Sequence, residues 1–213
     1  MKRITIITGH YGSGKSEIAI NMAISHSLDM LVDLDVVNPY FRSRSAHKVL
    51  GENNIELVDS SLAASSGSDL PYISQKGRIP FVNKEKTAIY DLAGSMSGAK
   101  VMMQFIDFVG NEDYDMLLAV NVYRPETANK DAILKTVSMI EGASQMKVTG
   151  LINNANLMKE TQESHLLHGQ DVLREVSETL NVPIVMTCHA HTWTPRNTYE
   201  GELFPLTRYV KSG

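Results

Sequence analysis

The stretch Gly9-His10-Tyr11-Gly12-Ser13-Gly14-Lys15-Ser16 constrains this chain more than any other, because it satisfies the pattern G-x-x-x-x-G-K-[ST] between a strand-like run and a helical one. Ahead of it, Ile4-Thr5-Ile6-Ile7-Thr8 has the β-branched composition of a strand buried on both faces. Behind it, residues 17–28 carry an apolar helical face through Ile20, Ile24 and Leu28. A strand, a glycine-rich turn and a helix in that order make a phosphate cradle. The glycines let backbone N–H groups at Gly9, Gly12, Ser13 and Gly14 converge on phosphate oxygens, and the helix N-terminus at Lys15-Ser16-Glu17 adds positive potential. Lys15, expected as an exposed charge at the loop–helix junction, neutralises the β/γ-phosphates, and the Ser16 hydroxyl reaches Mg²⁺.

The rest of the chain extends that unit. Strand-like runs recur at residues 4–8, 30–34, 55–58, 87–92, 116–122, 148–153 and 184–188, most of them separated by helical patterns. Such alternation predicts a three-layer α/β fold, with a mostly parallel sheet of about seven strands and helices on both faces. The apolar stripes Met102/Phe105/Val109, Ile133/Val137/Ile140 and Leu173/Val176/Leu180 are read as core contacts. Residues 60–80, rich in Ser, Gly and Pro, fit no pattern and are read as a surface segment with a short helix, either a lid or a plain loop.

Composition narrows the partners. With 213 residues, 43% of them hydrophobic, and no Pro/Gly/Ser-rich linker, residues 1–213 are read as a single domain. A net charge of −4 without a Lys/Arg cluster argues against nucleic acid and against an anionic membrane surface. Cys188 is the only cysteine, Met1 opens no signal-peptide pattern, and no apolar stretch approaches the roughly 20 residues of a membrane span. The tail at 203–210 is short and interrupted by Pro205, so no membrane anchor is expected, and the expected compartment is the cytoplasm.

Right-handed β-α-β connections bring the C-terminal ends of parallel strands to one edge of the sheet, so motifs at those ends should converge. One strand ends in Val32-Asp33-Leu34-Asp35, where Asp35, at the mouth, is the better placed to face a nucleotide. Another ends in Asp91-Leu92-Ala93-Gly94. There the carboxylate can hold Mg²⁺ directly or through water, and the Gly94 N–H can meet a γ-phosphate.

These residues resemble the SIMIBI class of phosphate-loop NTPases, in particular the MinD/ParA group and its relative the nitrogenase iron protein. The resemblance rests on Gly9 to Ser16, Asp33-Leu34-Asp35, Asp91-Leu92-Ala93-Gly94, Pro125-Glu126 and Gly150-Leu151-Ile152-Asn153-Asn154, and it spans nearly the whole chain. It implies that Asp35 orients the attacking water and joins the metal site, that Asp91 and Ser16 serve Mg²⁺, and that Asn154 contacts adenine. The stretch from Asp35 through Asn38-Pro39-Tyr40-Phe41-Arg42 to Arg44 looks like the switch segment of ATP-binding proteins of the CobQ/CobB/MinD/ParA type. His10 departs from the group, standing where its members carry the signature lysine that crosses an ATP-sandwiched dimer. The [NT]-K-x-D signature of guanine-specific loops is absent from 83–86 and 129–132, which favours ATP over GTP.

The remaining candidates have plainer readings beside the chemical ones. Cys188, His189 and His191, with His165 and His168, could suggest a transition metal, but zinc needs three or four convergent ligands, and residues 188–195 equally suit a loop beside the base and ribose. Arg42 and Arg44 could stabilise transition-state charge or grip a partner, or simply be surface arginines; Trp193 and Tyr199 read as packing residues. The expected function is a Mg²⁺-dependent ATPase, with Lys15 and Asp35 catalytic, that switches a protein client or a second copy of itself. Two alternatives stand beside it: an ATP-dependent ligase or kinase like dethiobiotin synthetase or the cobyrinate amidating enzymes, and a nucleotide-binding module with negligible turnover.

Overall fold

Side-chain alternation decides how this chain is layered. A computed structural model describes residues 1–35, 44–58, 75–109 and 114–209, with the side chain of Arg44 excepted. Most of the segment 60–80 and residues 36–43, with Arg42, lie outside the described residues. The elements run β1 (Ile4–Thr8), α1 (Lys15–Ser25), β2 (Met30–Asp33), α2 (Arg44–Glu52), β3 (Glu56–Val58), α3 (Ile79–Val82), β4 (Ala88–Asp91) and α4 (Met96–Ala99). A 3-10 run over Lys100–Phe105 leads into α5 (Ile106–Val109), followed by β5 (Tyr114–Val120), α6 (Lys130–Ser144), β6 (Gly150–Asn153), α7 (Glu163–Leu180), β7 (Ile184–Ala190) and β8 (Glu202–Leu206).

Ile4 and Ile6 of β1, Met30 and Val32 of β2, Ala88 and Tyr90 of β4, and Met116, Leu118 and Val120 of β5 share one face of the sheet. Ile7, Leu31, Ile89, Leu117 and Ala119 take the other. Both faces are apolar, so both must be covered. The stripes Met102/Phe105/Val109, Ile133/Val137/Ile140 and Leu173/Val176 pack on the first face, with Leu180 half-buried against them. There the rings of Phe81, Tyr90 and Phe105 meet with centroids 5.4 to 6.1 Å apart, and the Tyr90 hydroxyl donates to the Gly77 carbonyl at 2.9 Å.

On the second face, α1 buries Ile18, Ile20 and Met22 in the core, with Ile24 packed half-buried against them. The C-terminal chain runs along the Glu17 and Asn21 side of the helix. Asn21 of α1 donates to the Thr207 carbonyl and accepts from its amide, both at 2.9 Å, and Glu17 accepts the Tyr209 amide at 2.6 Å.

Among the described residues eight strands, all parallel, lie in the order β3-β2-β4-β1-β5-β6-β7-β8. That is one strand more than the sequence predicts. Pro205 splits the run that forms β8, but β8 is the last strand of the sheet, and an edge strand tolerates a residue with no N–H to give. β1 lies between β4 and β5, and the chain leaves it first toward β2 and later toward β5, so the crevice where strand order reverses opens directly above Thr8. Among the described residues no helix is long and apolar enough to cross a membrane.

Phe105→Ala should lower the free energy of unfolding by about 3–5 kcal/mol, because its ring is fully buried against two others. Phe108→Ala, at a site 39% exposed, should lose far less. Urea unfolding of the two variants side by side checks the difference, and equal midpoints would remove Phe105 from the core.

Candidate functional site

Between the end of β1 and the start of α1 the backbone bends through Gly12 and Gly14, at φ 79° and 84°, a region open to glycine and strained for other residues. A Cβ on Gly14 would also overlap the Asn154 side-chain amide, and one on Gly94 would overlap the Gly9 carbonyl and lie 2.9 Å from the His10 nitrogen. The β4 turn therefore backs directly onto the loop. Ser13 N donates to the His10 carbonyl at 3.0 Å, closing the turn. From outside, Asn154 Nδ2 donates to the Ser13 carbonyl at 2.7 Å and Arg124 Nε to the Gly12 carbonyl at 3.2 Å. Gly14, the N-cap of α1, has no side chain to cap the helix, so the first-turn amides stay directed at whatever anion enters the loop.

Beneath the loop, charges are packed in a way that water does not permit at the surface. Lys15, expected to be exposed, is buried: its Nζ donates to Asp35 Oδ2 at 2.5 Å, with both side chains only 7% exposed. The ammonium turns inward because Asp35, two residues beyond β2, supplies its partner there. Ser16 Oγ donates to Asp91 Oδ2 at 2.5 Å, while Asp33 Oδ1 accepts the Asp35 amide at 2.8 Å and lies across from Asp91 in the sheet. Burial opposes the charge on Lys15, yet Asp91, Asp35 and Asp33 together hold its pKa above the ordinary lysine value. Burial, reinforced by Asp91, pushes Asp33 up to about 8, and burial likewise raises Asp91 against the pull of Lys15 and Ser16.

Three carboxylates thus share one lysine, and Asp91 Oδ1, Thr8 Oγ1 and Ser13 Oγ are buried without a hydrogen-bond partner. Orphaned buried oxygens in a carboxylate-rich pocket are what a divalent cation with its waters would satisfy. Ser16 and Asp91 fit Mg²⁺, which takes one or two protein oxygens and completes its shell from water and phosphate. Among the described residues no group of three or more His, Cys, Asp or Glu side chains converges as a metal cage.

The other sequence candidates divide. Gly9, Gly12, Ser13, Gly14, Lys15, Ser16, Asp35, Asp91, Gly94 and Asn154 come together around the loop. Glu17 does not bring its side chain there, because its carboxylate faces the Tyr209 amide, and burial pushes it up to about 7 against that hydrogen bond and Arg208. His10 sits on the loop with Nδ1 3.5 Å from Glu126 Oε2. Cys188 is inside β7 with its thiol pushed up by burial, and His189 Nδ1 lies 2.8 Å from the Trp193 carbonyl. His165 Nδ1 accepts the Gln162 amide at 2.9 Å, capping α7, and the Tyr199 hydroxyl donates to Glu163 at 3.4 Å. Arg42 lies outside the described residues, as does the Arg44 side chain.

Sequence reasoning passed over Arg124 and Glu163, the latter accepting the Arg196 and Asn197 amides at 2.6 and 2.7 Å. Both act on loops far away in the chain, and only Arg124 had a signal, its place beside Pro125-Glu126.

No known family model and no curated protein matches the chain. Among solved structures it is similar to the signal recognition particle receptor FtsY from Elizabethkingia anophelis, with TM-score 0.52 and 15% identity over 86% of this chain and 57% of that one. The same receptor in complex with GDP matches at TM-score 0.52 and 14% identity, over 86% and 56% of the two chains. The cell division protein FtsY from Thermotoga maritima matches at TM-score 0.55 and 14% identity, over 86% and 60%. The chain therefore spans less than two thirds of the length of these structures. At such identity the likeness is one of fold alone, an open α/β sheet of parallel strands covered by helices.

Proposed function

We propose that this chain is a Mg²⁺-dependent ATP-binding protein and ATPase that acts as a nucleotide-dependent switch on a protein partner. The observation that carries this reading is the pairing of Lys15 with Asp35 and of Ser16 with Asp91 beneath an uncapped helix N-terminus. Loop amides and Lys15 hold the β- and γ-phosphates, and Ser16 and Asp91 hold Mg²⁺, which neutralises charge on the phosphate oxygens. To reach phosphate, Lys15 must leave Asp35. Asp35 then has an acceptor oxygen to orient a water for attack, so that phosphate binding itself arms the hydrolytic group.

The same exchange supplies the switch. Asp35 leads into the chain at 36–43, and Gly94 rests on the loop through Gly9, so both strand-end turns register what the loop holds. A protein client is the partner this supports, in keeping with the receptor role in the name of the FtsY relatives. Sandwich dimerisation is not supported, because His10 is short and faces Glu126 of its own chain.

ATP is favoured over GTP by the turn after β6, which reads Asn154-Ala155-Asn156 and lacks the carboxylate that pairs with guanine. With Nδ2 given to Ser13, Asn154 keeps Oδ1 to accept an adenine amine, a position that would oppose a guanine carbonyl. The GDP held by the Elizabethkingia receptor supports GTP as a second reading. The ligase or kinase alternative would need a small-molecule acceptor held beside the phosphates. The test is ATP consumption by the purified protein alone, with captured protein partners, and with metabolite pools: stimulation by a protein supports the switch, and turnover only with a metabolite supports the ligase.

Three further outcomes follow from the geometry. Asp35→Asn should bind Mg²⁺-ATP at least as tightly as the parent, since Lys15 loses a competing carboxylate, while hydrolysis falls by roughly 10²- to 10⁴-fold. Lys15→Ala should bind no nucleotide tightly. Calorimetry and single-turnover assays on variants shown to be folded by circular dichroism check both, and parent-level hydrolysis by Asp35→Asn would move the water-orienting role elsewhere. Asn154→Ala should narrow the preference for ATP over GTP, because base discrimination is lost with the group that would be left unpaired. Equal ATP and GTP affinities in the parent would exclude the adenine reading.

A further inference from the structure

The turn after β5 reaches the phosphate loop from outside and is built rigidly. Asn121, buried just beyond β5, accepts the Tyr123 amide on Oδ1 at 3.1 Å, while its carbonyl accepts the Arg124 amide at 3.0 Å and the Thr127 hydroxyl at 2.8 Å. Its Nδ2 donates to the Asn156 carbonyl at 3.1 Å, which ties this turn to the one after β6. Arg124 leaves that frame and lies across the loop. Besides the hydrogen bond to the Gly12 carbonyl, its guanidinium is so close over Gly12 that a Cβ there would stand 2.8 Å from Nε and 3.1 Å from Cζ. Two residues on, Glu126 faces His10 at 3.5 Å, an ion pair when the imidazole is protonated. Among the described residues no carboxylate pairs with Arg124.

An exposed arginine finds a carboxylate or water at no cost, so one laid on a backbone carbonyl of an anion-binding loop has a different consequence. In a trans peptide the carbonyl and the N–H point in opposite directions. Drawing the Gly12 carbonyl outward fixes the Gly12–Ser13 peptide, whose N–H closes the turn on His10, and this sets the orientation of the peptides that follow. We propose that Arg124 is a positioning residue for nucleotide phosphate binding, acting through Gly12 to hold the phosphate loop in its binding shape and adding an unneutralised positive charge at its mouth. The proposal rests on the phosphate-binding reading of the loop and adds a residue that the loop pattern does not contain.

The test compares Arg124→Met and Arg124→Lys with the parent, measuring Mg²⁺-ATP and Mg²⁺-ADP dissociation constants, kcat at saturation, and the melting temperature without nucleotide. Removing a charged donor from a loop carbonyl should weaken ATP and ADP alike by about 10-fold in Arg124→Met, with kcat at saturation within about 2-fold. Arg124→Lys should recover part of the affinity, since an ammonium can reach one carbonyl but cannot cover the glycine. The nucleotide-free melting temperature should stay where it is, because the side chain is exposed. Unchanged affinities in Arg124→Met would overturn the proposal while leaving the phosphate loop intact. A collapse of kcat with unchanged affinity would overturn it in favour of contact with the reacting phosphate, and a parallel fall in melting temperature would overturn it in favour of a merely structural role. A parent that binds neither nucleotide would overturn the phosphate reading, and this inference with it.

Discussion

Lys15 and Asp35 form an ion pair in a place where neither would stay alone. Desolvating an ammonium is costly, and what offsets it here is a surplus of carboxylate, with Asp35 in contact and Asp91 and Asp33 close by. The surplus leaves the cluster unbalanced in the other direction. Asp33 and Asp91 are both driven toward their neutral forms, and Asp91 keeps an oxygen with nothing to accept from. A site of this kind gains from anything that brings a divalent cation to Asp91 and an anion to Lys15 together. On the proposed reading, Mg²⁺ with a triphosphate would do both, and Lys15 would exchange Asp35 for phosphate.

That cluster exists only because of the sheet's connectivity. Gly9, Asp33, Asp91, Arg124 and Asn154 are scattered over most of the chain, yet each follows or ends a strand, and parallel strands deliver those ends to one edge. β1 at the centre is flanked by β4, which supplies Asp91 and the turn that seats Gly94 on Gly9, and by β5, which leads to Arg124. The two apolar faces of the sheet fix register, and register fixes the site. A slip of one residue in β4 would turn Asp91 away from Ser16 and send Tyr90 out of its ring cluster.

The sequence shows the parts of this that depend on local pattern. Buried parallel strands announce themselves as β-branched runs, the helical stripes on α6 and α7 land in the core, and the loop pattern predicts which residues gather. What stayed hidden depends on partners far along the chain. Lys15 looks exposed until Asp35, twenty positions on, is known to lie beneath it. β8 is obscured by Pro205, whose tolerance comes from an edge position that no local pattern announces. Glu17 has the right position for a nucleotide contact, but the C-terminal chain claims its carboxylate. Asn154 looks like a base reader from its place after β6, and the fold also engages it as a brace on the loop.

His10 shows how a departure from a pattern can be read once the surroundings are known. A lysine at that position carries a fixed charge on a long stem that can cross to a neighbouring subunit, whereas an imidazole is short and changes charge near neutrality. In this chain Glu126 and Arg124, from one turn, engage both His10 and Gly12, so the outer surface of the loop is satisfied within the protomer. On the proposed reading, a loop braced from its own sheet would not call on a second copy to complete it. On the proposed switch reading, the bound nucleotide would be felt at the turns tied to Lys15 and Gly9, those of Asp35 and Gly94, and a partner reading it would contact that edge of the sheet.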